Sequence, residues 1–213
     1  MYISRVEIDD RNRRKIKDLS HLGAYHNWVE NCFPSEIAQH ERRRHLWRID
    51  QLHGKRYLLI VSADKPAATG MLKYGVTGTA MIKDYQHFLE QIKVGELMRF
   101  RLVANPTYRT DGKVYPHITV EQQENWLRQK AAANGFEFIT NADGSDTFDL
   151  VSRDWPNLYH QRRVRISRVT FEGTLRVTDL DKFRHALTHG IGREKAYGMG
   201  MLTVIPVRKY NNG

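Results

Sequence analysis

Tyr2, Arg5 and Glu7 interleave with the β-branched Ile3, Val6 and Ile8, a period-two pattern that predicts a strand over residues 2–8. Over residues 13–33 the period changes. Ile16, Leu19, Leu22, Tyr25, Val29 and Phe33 recur at spacings of three and four, which predicts a helix that Pro34 stops. Residues 46–52 and 56–63 read as two strands joined across His53-Gly54-Lys55. Residues 66–78 carry no clear period; residues 85–92 predict a short helix and residues 96–104 a strand ending at Asn105-Pro106. Thr119 and Gln122 form a capping box before a helix over residues 120–134, with Trp126 and Leu127 on its buried side and Asn134-Gly135 at its end. Strands follow over residues 136–139, 147–152 and 163–177, the last two bracketing a hairpin that contains Pro156. A helix over residues 179–189, with Leu180, Phe183 and Leu187 inward, leads through glycines to a strand over residues 201–207.

This order predicts an α+β protein of two ferredoxin-like (βαββαβ) units in tandem with inserted β-hairpins. The expected units are residues 1–106, carrying the first helix, and residues 107–213, carrying a basic hairpin and a glycine-rich loop. No sequence repeat between the halves supports this beyond the order of elements. Fold alone names no function.

Charge narrows the classes. Lys and Arg number 34 against 24 acids, a formal +10 with a pI near 9.8, which points to a polyanionic partner. The excess sits in three clusters inside predicted folded segments: Arg11, Arg13, Arg14, Lys15 and Lys17; Arg42, Arg43, Arg44 and Arg48; and Arg162, Arg163, Arg165 and Arg168. Guanidinium groups grip phosphates bidentately and stack on bases, so clusters this rich in arginine favour nucleic acid over a merely solvated face. The longest unbroken apolar run, residues 57–61, is far short of the roughly 18–20 residues of a membrane span, so no membrane partner is expected. Charged residues at the N-terminus argue against a leader, and the single Cys32 reads as a small buried hydrophobe in a reducing compartment; the cytoplasm is the expected location.

Two segments carry candidate chemistry. Between the last helix and the last strand, Gly190, Gly192, Gly198 and Gly200 surround Arg193 and Lys195. This run fits neither the dinucleotide fingerprint nor the P-loop, yet glycines there let backbone N–H groups and two cations meet an anion. His26 lies on the first predicted helix with Gly23 one turn earlier, so a substrate backbone can approach the imidazole. His40/His45 and His185/His189 lack a third ligand, and no Cys-x-x-Cys, His-Glu-x-x-His or paired Asp motif occurs, so no metal or other cofactor is expected. RNA can be cut without one, because the ribose 2′-hydroxyl is an internal nucleophile and one histidine suffices for a proton-transfer role.

Several segments together resemble the CRISPR-associated repeat-processing endoribonucleases of the CasE (Cse3) type. They are Met1-Tyr2-Ile3-Ser4-Arg5-Val6, the stretch from Asp18-Leu19 through His26 to Phe33-Pro34, Arg99-Phe-Arg-Leu-Val-Ala-Asn-Pro106, Trp126-Leu127 with Gly135-Phe136, Phe171-Glu-Gly173, and residues 190–200. The resemblance implies two ferredoxin-like domains that bind the stem-loop of CRISPR repeat RNA and cut at the 3′ base of the stem without metal. It implies 5′-hydroxyl and 2′,3′-cyclic phosphate ends, and retention on the mature guide RNA beside other subunits of the Cascade complex. His26 matches the family's catalytic histidine. Members often carry a tyrosine three residues earlier, where this chain has Gly23; Tyr25 either takes that role or belongs to the core. Arg162, Arg163 and Arg165 match the family's stem-binding hairpin. A non-catalytic RNA-binding subunit of the same superfamily is the alternative, in which His26 is only a contact.

Overall fold

The computed structural model of the protein describes residues 1–41, 43–159 and 164–207. The chain runs β1 (Tyr2–Glu7), α1 (Leu22–Glu30), α2 (Pro34–Ala38), β2 (Leu46–Leu52), β3 (Lys55–Ser62), α3 (Ala68–Leu72), β4 (Met81–Asp84), α4 (Gln86–Gln91) and β5 (Leu97–Ala104). It continues through the hairpin β6 (Thr107–Thr110) and β7 (Lys113–Pro116), then α5 (Val120–Ala131), β8 (Phe136–Phe138), β9 (Phe148–Asp154), β10 (Arg168–Val177), α6 (Leu180–His189) and β11 (Leu202–Pro206). The first sheet has the order β2-β3-β1-β4, the second β11-β5-β10-β8, with β9 also on β10. All pairings are antiparallel. Counted within each unit, both sheets read fourth, first, third, second strand, the ferredoxin-like order expected from the sequence.

The sheets move one boundary. Residues 97–104, expected to close the first unit before a boundary at 106, form a central strand of the second, paired to β10 with Phe100 opposite Gly173. The first unit is closed instead by β4, whose four residues are too few to show a period, and its second helix is α3, in the stretch without a clear pattern. The hairpin β6–β7 was also absent from the sequence expectations. Its turn is Asp111-Gly112, both with positive φ (48° and 74°), the Asp-Gly signal of a two-residue hairpin loop.

Helix α1 is shorter than the period predicts. Ile16 and Leu19 do pack against the core, but residues 10–20 are turns: Asn12 Oδ1 accepts from the Lys15 amide at 3.1 Å and Lys15 Nζ pairs with Asp9 at 3.3 Å. Asn, Asp and Ser side chains compete locally for backbone groups, which explains why helical spacing there did not become helix. His21 then caps α1, its Nδ1 accepting from Ala24 N at 3.2 Å. Pro34 ends nothing abruptly; it opens α2, at a position where its missing N–H is no loss.

The two units share their cores. Leu46 and Val61 of the first pack into the cluster under the second sheet, while Val103, Leu158 and Met199 of the second pack around Trp28, Trp47 and Leu58. Arg48 crosses the seam. Its guanidinium is buried, pairs with Asp50 at 2.6 Å, and donates to the carbonyls of Arg101 (3.1 Å) and Met201 (3.0 Å) and to the Thr203 hydroxyl (2.8 Å). Counted with its neighbours as part of a basic cluster, Arg48 is instead a joint between sheets. Among the described residues no helix is long and apolar enough to cross a membrane.

Candidate nucleic-acid site

Helix α1 is held at its N-terminus by the other unit. The amides of Leu22 and Gly23 have no partner within the helix, and they donate to the carbonyls of Asn157 (3.1 Å) and Leu158 (3.0 Å). A Cβ at residue 23 would lie 3.1 Å from that Leu158 oxygen, so glycine there permits the docking. The docked segment belongs to the Pro156 hairpin, whose arms exchange bonds from Leu158 N to Val164 O (2.9 Å) and Ile166 N to Pro156 O (3.2 Å). Arg165 is exposed on its outgoing arm; Arg162 and Arg163 lie outside the described residues. Arg168 is already engaged, with Nε 2.8 Å from Asp154 Oδ1 across the β9–β10 register.

The glycine loop closes the other side. Its four sequence-predicted glycines all have positive φ, and at each a Cβ would come within 3 Å of a neighbour. A Cβ on Gly198 would fall 2.7 Å from the Trp47 ring, one on Gly192 2.9 Å from the Trp126 ring, and one on Gly190 2.8 Å from the Gly200 carbonyl. The amides of Gly190 and Gly200 bond the carbonyls of Ala186 (2.9 Å) and Val103 (2.6 Å), so these two offer no donor to an anion. The loop also presents its side chains. Together with Gly192, the residues Arg193, Glu194 and Lys195 face Arg43, Arg44, His45, Glu30 and His26 across a cleft of about 650 Å³.

His26 is a third exposed and lies 4.0 Å, through Nδ1, from Glu30 Oε1. Its ring meets the edge of Tyr197 at 5.8 Å. The Tyr197 hydroxyl is 3.0 Å from that of Tyr159, and this hydrogen bond, with burial, pushes the Tyr197 phenol up to about 12. Lys195 is lowered from the ordinary lysine value, first by burial and then by the charge of Arg44. Among the described residues Arg44, Arg193 and Lys195 have no carboxylate partner, whereas Arg43 bonds Asp64 and Glu41, both at 3.1 Å.

Tyr25 goes elsewhere. It is 8% exposed, stacks on Trp47 at 6.0 Å, and its hydroxyl accepts from Arg56 Nη1 at 2.9 Å. The helix is unbroken there, so Tyr25 follows its Leu22 and Val29 spacing into the core, and the phenol against His26 is Tyr197. Sequence reasoning missed Tyr197, Tyr159, Glu30 and His45. Tyr197 was marked only by its place next to the Gly198 turn, and His45 only by its spacing from His40.

His45 is 2% exposed and stacked on Phe33 at 3.7 Å, with Nδ1 3.0 Å from Glu30 and Nε2 3.1 Å from Glu36. Burial opposes its charge most strongly; the hydrogen bonds and charges of Glu30 and Glu36 outweigh it, so the net shift is upward from 6.5. A histidine raised on folding gives stability that is complete below its unfolded value and disappears as pH rises through the raised one. The cleft around it also holds Arg43, Arg44, Lys195 and His26. Melting temperatures of the natural chain and a His45→Gln variant, measured from about pH 5.5 to about pH 8.5, are expected to converge as pH rises. A gap independent of pH contradicts this assignment. Among the described residues no group of three or more His, Cys, Asp or Glu has the geometry to hold a metal ion.

Fold and site define a class: a tandem ferredoxin-like protein with a histidine in a cleft lined by arginine and lysine from both units. The sequence model of the CRISPR-associated protein family matches residues 1–206, and the chain belongs to that family. It is 26% identical over 216 residues to the CRISPR-associated endoribonuclease Cse3 of Thermus thermophilus, covering 97% of this chain and all of the relative. Thermus thermophilus Cse3 bound to an RNA representing a pre-cleavage complex has the same fold, with a TM-score of 0.81 at 23% identity over 96% of this chain and 98% of that one. Cas6e of Escherichia coli K-12 superimposes with a TM-score of 0.67 at 22% identity, over 97% of this chain and 100% of that one. A CRISPR RNA-guided surveillance complex contributes a chain with a TM-score of 0.65 at 24% identity, over 97% and 100%.

Proposed function

We propose that this protein is a metal-independent endoribonuclease that binds the stem-loop of CRISPR repeat RNA and cuts precursor RNA at the 3′ base of the stem. The observation that carries the reading is His26, with Tyr197 at its ring edge, inside a cleft whose free cations come from both units. Its family relative is named an endoribonuclease, and a structure of Thermus thermophilus Cse3 holds an RNA representing a pre-cleavage complex.

The chemistry needs little from the protein. The ribose 2′-oxygen attacks the adjacent phosphorus, the bond from phosphorus to the 5′-oxygen breaks, the 2′-proton leaves to a base and the 5′-oxygen gains one from an acid. His26 supplies one of these proton transfers. Arg44, Arg193 and Lys195 stabilise the charge that builds on the phosphorane, where fixed cations in a partly dry cleft act most strongly. Tyr197 remains protonated throughout the neutral range and donates to the same region. Arg165, with its sequence neighbours Arg162 and Arg163, grips stem phosphates, and the docking of the Pro156 hairpin on α1 couples stem binding to the position of His26.

Products then carry a 5′-hydroxyl and a 2′,3′-cyclic phosphate. The many phosphate contacts favour retention on the mature guide RNA, in the cytoplasm, as a subunit of a Cascade-type surveillance complex like those that contain its structural neighbours. End-group analysis of the cleaved cognate hairpin by mass spectrometry tests the reading; a 5′-phosphate and a 3′-hydroxyl would sink it. A Tyr197→Phe variant is expected to cut roughly tenfold more slowly in single-turnover assays with unchanged hairpin affinity, because it loses one donor and the bond to Tyr159. An unchanged rate removes Tyr197 from the mechanism.

A further inference from the structure

We propose that Glu30 is the positioning residue of His26, locked in place by the buried His45 and Glu36. The inference rests on the reading of His26 as a proton-transfer group. One atom, Glu30 Oε1, stands between two imidazoles: 3.0 Å from His45 Nδ1 and 4.0 Å from His26 Nδ1. Glu30 lies one helical turn beyond His26, so the two share a face of α1.

The other members of the network have no other evident use. The Glu36 side chain is 5% exposed, held by His45 Nε2 through Oε1 and by the Arg43 amide through Oε2 at 3.1 Å. Both ring nitrogens of His45 face carboxylates, which only accept, so the ring carries both protons or one carboxyl does. The upward shift of His45 agrees with the first. Phe33, parallel to the ring within 4°, fixes its plane. Burying the His45–Glu36 pair in this way is not needed for stability, since apolar residues of the same volume commonly do as well. What the network provides is a carboxylate oxygen held by a ring that Glu36 and Phe33 themselves fix. A carboxylate facing Nδ1 selects the tautomer with its proton on Nδ1 and leaves Nε2 for the substrate. The 4.0 Å separation is an ion-pair distance that closing on RNA would shorten. Among the described residues, Arg43, Arg44, Arg193, Glu194 and Lys195 are the other charged groups on this cleft.

Glu30→Gln keeps an acceptor for His45 and removes the charge that orients His26. In single-turnover cleavage of the cognate hairpin at saturating protein, the expected result is about a tenfold loss of rate with unchanged hairpin affinity. The same substitution added to His26→Ala is expected to change the residual rate by nothing measurable. Nitrogen-15 imidazole shifts in complexes with a 2′-deoxy, uncleavable hairpin give a second readout: His26 protonated on Nδ1 in the natural chain, and shifted toward the Nε2 form in Glu30→Gln. An equal loss in both backgrounds, an undiminished rate, or the same tautomer in both proteins overturns the inference. If His26→Ala is inactive while Glu30→Gln cuts normally, the inference alone fails. If His26→Ala cuts at the natural rate, the reading of His26 fails with it.

Discussion

His26→Ala is expected to lower the single-turnover rate of hairpin cleavage by roughly 10²- to 10⁴-fold, the contribution of a well-placed general acid or base. Hairpin affinity should change little, because the imidazole is one contact beside the cations Arg44, Arg193 and Lys195. Stability should also hold: His26 is a third exposed and lies outside both core clusters. This separation of rate from binding is what distinguishes a catalytic His26 from a contact histidine in a non-catalytic RNA-binding subunit. Rates measured at saturating protein, with affinity taken from filter binding, check both halves. Equal losses of rate and affinity would favour the binding subunit.

The second large effect is on folding. Gly198→Ala is expected to cost about 2–4 kcal/mol, combining roughly 1–2 for a side chain at positive φ with about 1–2 for overpacking by one added methyl. Gly198 has φ +80°, and a Cβ would come within 3.0 Å of three atoms of the Trp47 ring. That ring is 1% exposed, stacked on Tyr25, and tied through Nε1 to the Ala196 carbonyl at 3.0 Å, so it has nowhere to withdraw. Gly54→Ala is the control: its φ is +74° but nothing lies within 4 Å, leaving only the backbone penalty. For a chain of this length the Gly198 variant should melt about 5–15 °C lower, and the control a few degrees lower at most. Cleavage should suffer too, since Tyr197 is the adjacent residue. Equal melting temperatures for the two variants would refute the packing role.

Both ferredoxin-like units were legible in the sequence because their longer elements have strong periods and clear ends. The boundary was not, since a strand of four residues carries no period and Leu97–Ala104 reads alike in either sheet. The hairpin at Asp111-Gly112 did carry its signal, in two residues that only a tight turn explains. The site was legible in part. His26 stood out through the family resemblance, and Tyr25 showed its core role in its spacing. Tyr197, Tyr159 and His45 come to the surroundings of His26 from three separate segments, and only the fold brings them together. The basic clusters were visible as charge, but whether each arginine was free was not. Arg48 became a joint because only the fold brings the Arg101 and Met201 carbonyls to it, and Arg168 became half of an ion pair because the β9–β10 register sets Asp154 beside it.

The most direct test of the account is cleavage of the cognate repeat hairpin in excess EDTA, using natural RNA and RNA with a single 2′-deoxy sugar at the cut. The account predicts that the natural hairpin is cut at an undiminished rate, and that the deoxy hairpin is bound with similar affinity and left intact. Loss of cleavage in EDTA, or cutting of the deoxy hairpin, would contradict it.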